Sequence, residues 1–463
     1  MSSSKIPAVM IAAAGSGSGK TAFTCALLSI LKDKGLSVRS FKTGPDYIDP
    51  MFHRKVLGVP SENLDTFFET PDGIKRILSR NRQAFSVIEG VMGIYDGINV
   101  NDTKGSCYEV STITKTPIIL IMDAKGCGRT IVSLLEGILS DDKENLVKGV
   151  IFNRMSENFY KKISSVAEAC LKDKGYNTKL LGFIPEIKDA GFDSRHLGLL
   201  LPDEIENLNE KIDRFKGAVQ KNIDIEGLIS IAKDRGEISY EDVTDGGENI
   251  KDKDLVLSVA RDEAFCFYYE ENLRMFTDRG VKIRYFSPIY DEEIPEDSDA
   301  ILIGGGYPEL HLEKLSENGR MLKSVKTAVE GGIPTIAECG GYMYLHDAIL
   351  EKDGNEYEMA GVIEGECSYK GHLIRFGYIE VCEDKPGKMN AKGMKGHEFH
   401  YYESTKTGSD HKVCRPDKSD ERECIIDNGN CFFGFPHFYY PSKPEFVEGF
   451  IRLMEAYHEK RKR

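Results

Sequence analysis

Three sets of residues have the types and spacing to do chemistry. The first is Gly15-Ser-Gly17-Ser-Gly19-Lys20-Thr21, with Ala14 where such strings usually begin on glycine. It follows an apolar run and precedes a helical one, the context in which glycines let successive backbone N–H groups converge on phosphate oxygens. Lys20 adds a point charge for the β- and γ-phosphates, and the Thr21 hydroxyl is a Mg²⁺ ligand type. This string predicts nucleoside triphosphate binding. The second set is acidic: Asp46, Tyr47 and Asp49 in Lys42-Thr-Gly-Pro-Asp-Tyr-Ile-Asp, and Glu89 and Asp96 in Glu-Gly-Val-Met-Gly-Ile-Tyr-Asp. Carboxylates at strand ends can hold Mg²⁺ and position a nucleophile, and an aspartate beside Pro or Gly is equally a turn former. Asn153, at the end of another apolar run, could read an adenine edge or simply make its turn.

The third set centres on Cys339 in Ile336-Ala-Glu-Cys-Gly340-Gly. Small neighbours at a strand-to-helix turn make a nucleophile elbow, and the following helix N-terminus helps a thiol that is only a few per cent ionised at neutral pH. Of ten histidines, His437 in Gly-Phe-Pro-His ends a strand-like run and is the best base, with His397 and His400 as rivals. The His-x-x-His spacing of those two invites a metal, but three residues apart on a strand they face opposite ways. Backbone N–H groups in Gly304-Gly-Gly306 and at Gly340 could form an oxyanion hole for acyl transfer.

Parallel strands must position these groups. Runs at 8–13, 38–41, 86–89, 118–123 and 150–153 are short and apolar, and Phe23, Ala26, Leu27, Ile30 and Leu31 make a helical stripe closed by Gly35. Strand–helix alternation implies a parallel sheet, with ligands at the C-terminal strand ends where the chemistry-bearing residues lie. Residues 202–253 turn polar and acidic and read as a linker. Alternation restarts with strands at 255–260, 281–286, 300–303 and 335–337 and a helix at 269–276. The last helix, striped by Phe446, Phe450, Leu453 and Tyr457, ends in a basic tail that suits its dipole. The fold class is therefore α/β in two units, 1–201 and 254–463.

The whole composition agrees. A chain of 463 residues exceeds what one core supports. A net charge of -14 disfavours nucleic acid and anionic membrane, which are bound through cationic faces. Eleven cysteines without a CxxC pair imply a reducing, cytoplasmic compartment, and no apolar run approaches membrane-spanning length.

Together the phosphate loop, Gly-Pro-Asp-Tyr-Ile-Asp-Pro, Glu-Gly-Val-Met-Gly-Ile-Tyr-Asp-Gly, Gly-Gly-Gly-Tyr-Pro-Glu, Glu-Cys-Gly-Gly-Tyr-Met-Tyr-Leu and Gly-His-Glu-Phe-His-Tyr resemble the cobyrinate a,c-diamide synthase family, almost end to end. The resemblance implies a dethiobiotin-synthetase-like amidoligase unit followed by a class I glutamine amidotransferase unit. It implies ATP, Mg²⁺ and L-glutamine as co-substrates and cofactor, cobyrinate as the corrinoid substrate, and amidation of its a and c acetates through acyl phosphates in cobalamin biosynthesis, with a homodimer as one assembly state. Matching positions make Cys339 the nucleophile and His437 its base, with Gly306 and Gly340 at the oxyanion. Gly15, Gly17, Gly19, Lys20, Thr21 and Asn153 fall to ATP, Thr21, Asp46 and Glu89 to Mg²⁺, and Tyr47, Asp49 and Asp96 to the corrinoid. Many class I amidotransferases carry a glutamate two residues after the histidine; here it is Tyr439. Ala337 replaces a common glycine. Hydrogenobyrinate and nickel-sirohydrochlorin are alternative macrocycles. A partitioning-type switch ATPase is the alternative class, one that leaves the cysteine elbow unexplained.

Overall fold

The computed structural model describes residues 2–80, 83–187, 194–195, 198–199, 205, 207–241 and 254–463. It divides into two compact units, 1–244 and 245–463.

The first unit is built on a seven-stranded, wholly parallel sheet. Its strands are β1 (Ala8–Ala13), β2 (Val38–Thr43), β3 (Ser61–Leu64), β4 (Phe85–Glu89), β5 (Ile118–Asp123), β6 (Val147–Asn153) and β7 (Lys179–Ile184), in the order β3-β2-β4-β1-β5-β6-β7. The central strand β1 is buried throughout, as a strand covered on both faces must be. Alternate residues go to opposite cores. Val9, Ile11 and Ala13 pack with Phe23, Leu27 and Ile30 of α1 (Lys20–Asp33), while Met10 and Ala12 share a core with α3 (Pro71–Ser79), α4 (Cys107–Thr114), α5 (Thr130–Asp141) and α6 (Glu157–Lys174). A four-residue turn of helix, α2 (Ile48–Met51), runs into a π-helical turn, Phe52–Val56, just beyond β2.

The linker expectation is corrected here. Within 202–253, residues 208–240 fold as α7 (Leu208–Asn222), α8 (Ile225–Lys233) and a short strand, Ile238–Tyr240, that pairs with Ser2–Ser4. Phe215, Val219, Leu228 and Ile229 complete the α1 face of the sheet, so acidic composition masked an amphipathic segment. Residues 202–204, 206 and 242–253 lie outside the described residues.

In the second unit two of the three sheets among the described residues share a core, and the third is a smaller four-stranded one. The first has parallel strands β8 (Val256–Ala260), β9 (Lys282–Phe286), β10 (Ala300–Ile303), β11 (Thr335–Glu338) and β17 (Cys431–Gly434), with β16 (Ile426–Asp427) antiparallel at one edge, in the order β9-β8-β10-β11-β17-β16. The second is antiparallel, with β12 (Arg375–Asp384), β13 (Lys395–His400), β14 (His411–Cys414), β15 (Glu421–Cys424) and β18 (His437–Tyr439) in the order β15-β14-β12-β13-β18. The two meet in one core, where Val259, Leu302 and Ile336 join Ile379, Val381, Leu273 and Phe276 of α9 (Glu270–Asp278), and Phe446 and Phe450 of the C-terminal helix α13 (Pro444–Arg461). On the other face lie α10 (Leu312–Glu317) and α11 (Gly319–Glu330).

Candidate active sites

In the first unit the phosphate loop leaves β1 and enters α1 with Gly17 and Gly19 at φ 71° and 89°, backbone that only glycine adopts without strain. Gly19 also has no room for a side chain, because a β-carbon there would sit 2.5 Å from Asn153 Nδ2. Asn153 donates to Ser18 O at 2.9 Å, so the residue expected at an adenine edge braces the loop. Lys20 is buried and folded over the loop, donating to Gly15 O at 3.1 Å and to Met92 O at 2.6 Å. Burial first, then the charge of Lys42, pull its ammonium below the ordinary lysine value.

Around Lys42 the acidic residues sort themselves. Thr21 Oγ1 donates to Glu89 Oε1 at 2.7 Å and to Asp49 Oδ1 at 3.3 Å, and Lys42 Nζ bridges Glu89 Oε1 at 3.0 Å to Asp49. His53, on the π-helical turn, places Nε2 3.3 Å from Glu89 Oε2, with Nδ1 2.9 Å from Ser40 Oγ. All four charged or titratable partners are buried. Burial and the charge of Glu89 push Asp49 well above the carboxylate range. Burial opposes ionisation of Glu89 as well, but Lys42 and His53 hold it low. Of the expected metal-binding trio, the structure gathers Thr21 and Glu89 with Asp49 rather than Asp46. Asp46, two residues before α2, accepts from Ile48 N at 2.8 Å and stands 4.0 Å from Lys42. Tyr47 is buried at the start of α2. Asp96 is exposed and accepts from Gly93 N at 2.8 Å, tying the 90–97 loop to itself.

In the second unit Cys339 sits between β11 and α12 (Gly340–Tyr344) at φ 49°, ψ −106°. A non-glycine residue there stores about 1–3 kcal/mol, held in place by surrounding bonds. Cys339 N donates to Gly434 O at 2.8 Å and Gly341 N to Gly304 O at 3.0 Å. The helix behind the elbow is only five residues long, so the dipole expected to activate the thiol is small. Burial, then the charge of Glu309, raise the Cys339 thiol well above its ordinary value, and the resting cysteine is protonated.

The base must therefore be neutral and close. His437 is buried on β18, and burial first, then its electrostatic coupling to the nearby imidazoles of His397 and His400, keeps it well below the ordinary histidine value. Its ring lies so close to Gly305 that a β-carbon there would overlap Cε1. Gly306 N in turn would lie 3.3 Å from a β-carbon on Gly340, which brings the two expected oxyanion donors to the elbow. The glycine loop is anchored from below by Cys266 N and Phe267 N, both donating to Gly305 O at 3.0 Å. His397 and His400 do face apart. His397 stacks on His437, and His400 stacks on Phe435 at 4.1 Å. Among the described residues no group of three or more His, Cys, Asp or Glu comes together to hold a metal.

Comparison with known proteins decides the family. Residues 9–199 match the CobQ/CobB/MinD/ParA nucleotide binding domain, and residues 256–444 match the CobB/CobQ-like glutamine amidotransferase domain. The cobyrinate a,c-diamide synthase of Caldanaerobacter subterraneus subsp. tengcongensis is 37% identical over 459 residues, covering 97% of this chain and 99% of that one. Its namesake in Clostridium tetani is 37% identical over 453 residues, covering 96% and 99%. The chain belongs to the cobyrinate a,c-diamide synthase family. It is a glutamine-dependent, amide-forming ligase with a nucleotide-binding unit.

Within this diamide synthase family member, four groups beside the two sites escaped sequence reasoning. His53 meets Glu89 only through the fold, and no local pattern points to it. The Met92 carbonyl that holds Lys20 belongs to a residue at φ 48°, which the Gly-Val-Met-Gly context hints at. Lys42, expected as a strand-end residue and a candidate local cation for the anionic substrate, is instead the hub of the carboxylate cluster, a role that no spacing gave. Glu338, beside the nucleophile, is buried and accepts from Tyr440 OH at 2.8 Å; burial pushes its carboxyl up to about 8, so it is neutral at pH 7.

Proposed function

We propose that this chain amidates the a and c acetate carboxylates of cobyrinate with ATP and glutamine, a step of cobalamin biosynthesis, and that its two units divide the chemistry. The observation that carries this reading is the pairing of a phosphate loop with a neutral Cys339–His437 elbow in a chain similar to named synthases over nearly its whole length. A carboxylate does not react with ammonia at neutral pH, because its charge repels the nucleophile and oxide is a poor leaving group. Transfer of the γ-phosphoryl of ATP to an acetate oxygen makes an acyl phosphate and ADP. Ammonia then attacks the carbonyl carbon, the bond to phosphate breaks, and one proton is lost. Lys20, released from Gly15 O and Met92 O, neutralises the charge that develops on the phosphates.

Thr21, Asp49 and Glu89 are hard oxygen donors that suit Mg²⁺. Two carboxylates and a hydroxyl leave the remaining positions to phosphate oxygens and water, the usual division for this ion. Bound there, the ion would shield the β- and γ-phosphate charges. Asp46 and Asp96, on the rim, are left to contact the corrinoid side chains, beside buried Tyr47.

In the second unit His437 takes the thiol proton as the Cys339 sulfur attacks the glutamine side-chain carbonyl. The oxyanion is held by the N–H groups of Gly306 and Gly340, and the proton passes to the departing ammonia. Water then hydrolyses the thioester to glutamate. With cysteines such as Cys25, Cys107 and Cys367 unpaired, the chain suits a reducing cytoplasm. No helix among the described residues is long and apolar enough to cross a membrane.

The test is product mass spectrometry with cobyrinate, hydrogenobyrinate or nickel-sirohydrochlorin, each with Mg·ATP and either glutamine or ammonia. Two successive amidations of cobyrinate are expected. Cys339→Ser should abolish glutamine-driven amidation and leave the ammonia-driven reaction; loss of both would overturn the division of labour.

A further inference from the structure

Two residues after His437, where a cysteine–histidine–acid triad usually carries its orienting carboxylate, stands Tyr439. The position is filled with packing. Tyr439 is buried, with its ring edge-on to Tyr269 at 5.6 Å and 79°. A different residue meets the base. Strand β13 pairs antiparallel with β18 so that His397 lies directly opposite His437, and the two imidazoles stack at 5.1 Å and 16°. His397 is fixed from its other side by Tyr269, whose hydroxyl lies 3.1 Å from Nδ1. Tyr269 is itself buried at the start of α9.

We propose that His397, held by Tyr269, is the positioning residue for His437, so that a stacked imidazole supplies the orientation that a carboxylate supplies in the usual triad. The inference rests on the reading of His437 as the base. A flat ring 5.1 Å away and nearly parallel fixes the plane of His437, and the absence of a β-carbon at Gly305 lets its Cε1 edge approach the backbone of the glycine loop. A stacked imidazole also does not draw a proton onto His437 in the resting enzyme, which accords with the low proton affinity that burial, above all, gives it. The cost falls on the imidazolium formed during the reaction, to which a stacked ring brings no counter-charge.

The test measures glutamine hydrolysis by the full chain in four variants. His397→Ala, which removes the stack, should lower kcat about 10²-fold, the usual consequence of a base misplaced by an ångström, with KM for glutamine little changed. His397→Phe keeps a flat ring and should recover most of that loss. Tyr269→Phe removes only the hydroxyl, and its kcat should fall between that of His397→Phe and that of the wild type. Ammonia-driven amidation reports whether each variant is folded. Wild-type kcat in His397→Ala would overturn the proposal, as would a loss that His397→Phe fails to recover or one shared equally with the ammonia-driven reaction. His437→Ala separates the two levels of inference. If it keeps hydrolysing glutamine, the base assignment itself falls; if it is inactive while His397→Ala is not, only the positioning role falls.

Discussion

Each unit places its reacting group on a turn between a parallel strand and a helix, yet the two turns are electrostatic opposites. At the phosphate loop, Lys42 and two carboxylates form a buried network, and buried Lys20 lies close enough for their charges to act on it. At the elbow, a protonated Cys339, a neutral His437, a neutral His397 whose value falls to about 4 and a protonated Glu338 are themselves uncharged, while the carboxylates of Glu309 and Glu398 act on the thiol from farther off. The contrast follows from the chemistry. Phosphoryl transfer moves charge that is present from the start, and fixed counter-charges stabilise it. Thiol attack begins from neutral partners, and a permanent charge nearby would fix the base in the wrong protonation state.

Substitutions can break this contrast one unit at a time. The largest effect is expected from Lys20→Ala, which should lower kcat for ATP-dependent amidation about 10²–10³-fold, typical of removing one preorganised electrostatic donor. Glutamine hydrolysis, measured as glutamate release, should change far less. Next is Lys42→Met. It leaves Asp49 and Glu89 buried without their shared cation, and calorimetry should show destabilisation of about 3 kcal/mol, as when one member of a buried ion pair is deleted.

The second unit also holds a buried charge cluster centred on His411. His411 donates to Asp384 at 2.9 Å and to Asp427 at 2.8 Å, joining β12, β14 and β16, with Asp410 alongside. Burial opposes its charge, but the two carboxylates raise its proton affinity above the ordinary histidine value. Its contribution is therefore complete below about pH 6.5 and is lost as pH rises through the raised value. Thermal unfolding of wild type and His411→Phe across pH should show an advantage of about 1.5–3 kcal/mol at pH 6 that narrows in alkali. The smallest effect is expected at Asn153→Ala, where losing one bond to Ser18 O should raise KM for ATP several-fold, near 1 kcal/mol.

The sheet frame was legible where apolar runs are unbroken. The strands at 8–13, 118–123 and 300–303 coincide with the observed Ala8–Ala13, Ile118–Asp123 and Ala300–Ile303. Two parallel strands were not. Ser61–Leu64 reads Ser-Glu-Asn-Leu, and its Glu62 is buried only because Arg39 and Arg80 pair with it. Lys179–Ile184 is interrupted by Gly182 at φ 133°, forced by the Asn222 carbonyl that a β-carbon would strike. The helices at 208–233 had a signal, since Leu208, Ile212, Phe215 and Val219 repeat at helical spacing. Site residues carried on motifs were visible as types. Which carboxylate joins Thr21, and which ring faces His437, depended on distances between strands that no local spacing encodes.

Two glycines described above differ in what evolution or a designer can do with them. At Gly15 a β-carbon would meet nothing within 4 Å, so that position has slack. At Gly305 the same single carbon would occupy the place of the His437 ring. One methyl group is thus enough to evict a base without altering any reacting atom, and Gly305→Ala would convert a glutamine-fed catalyst into one that runs only on supplied ammonia.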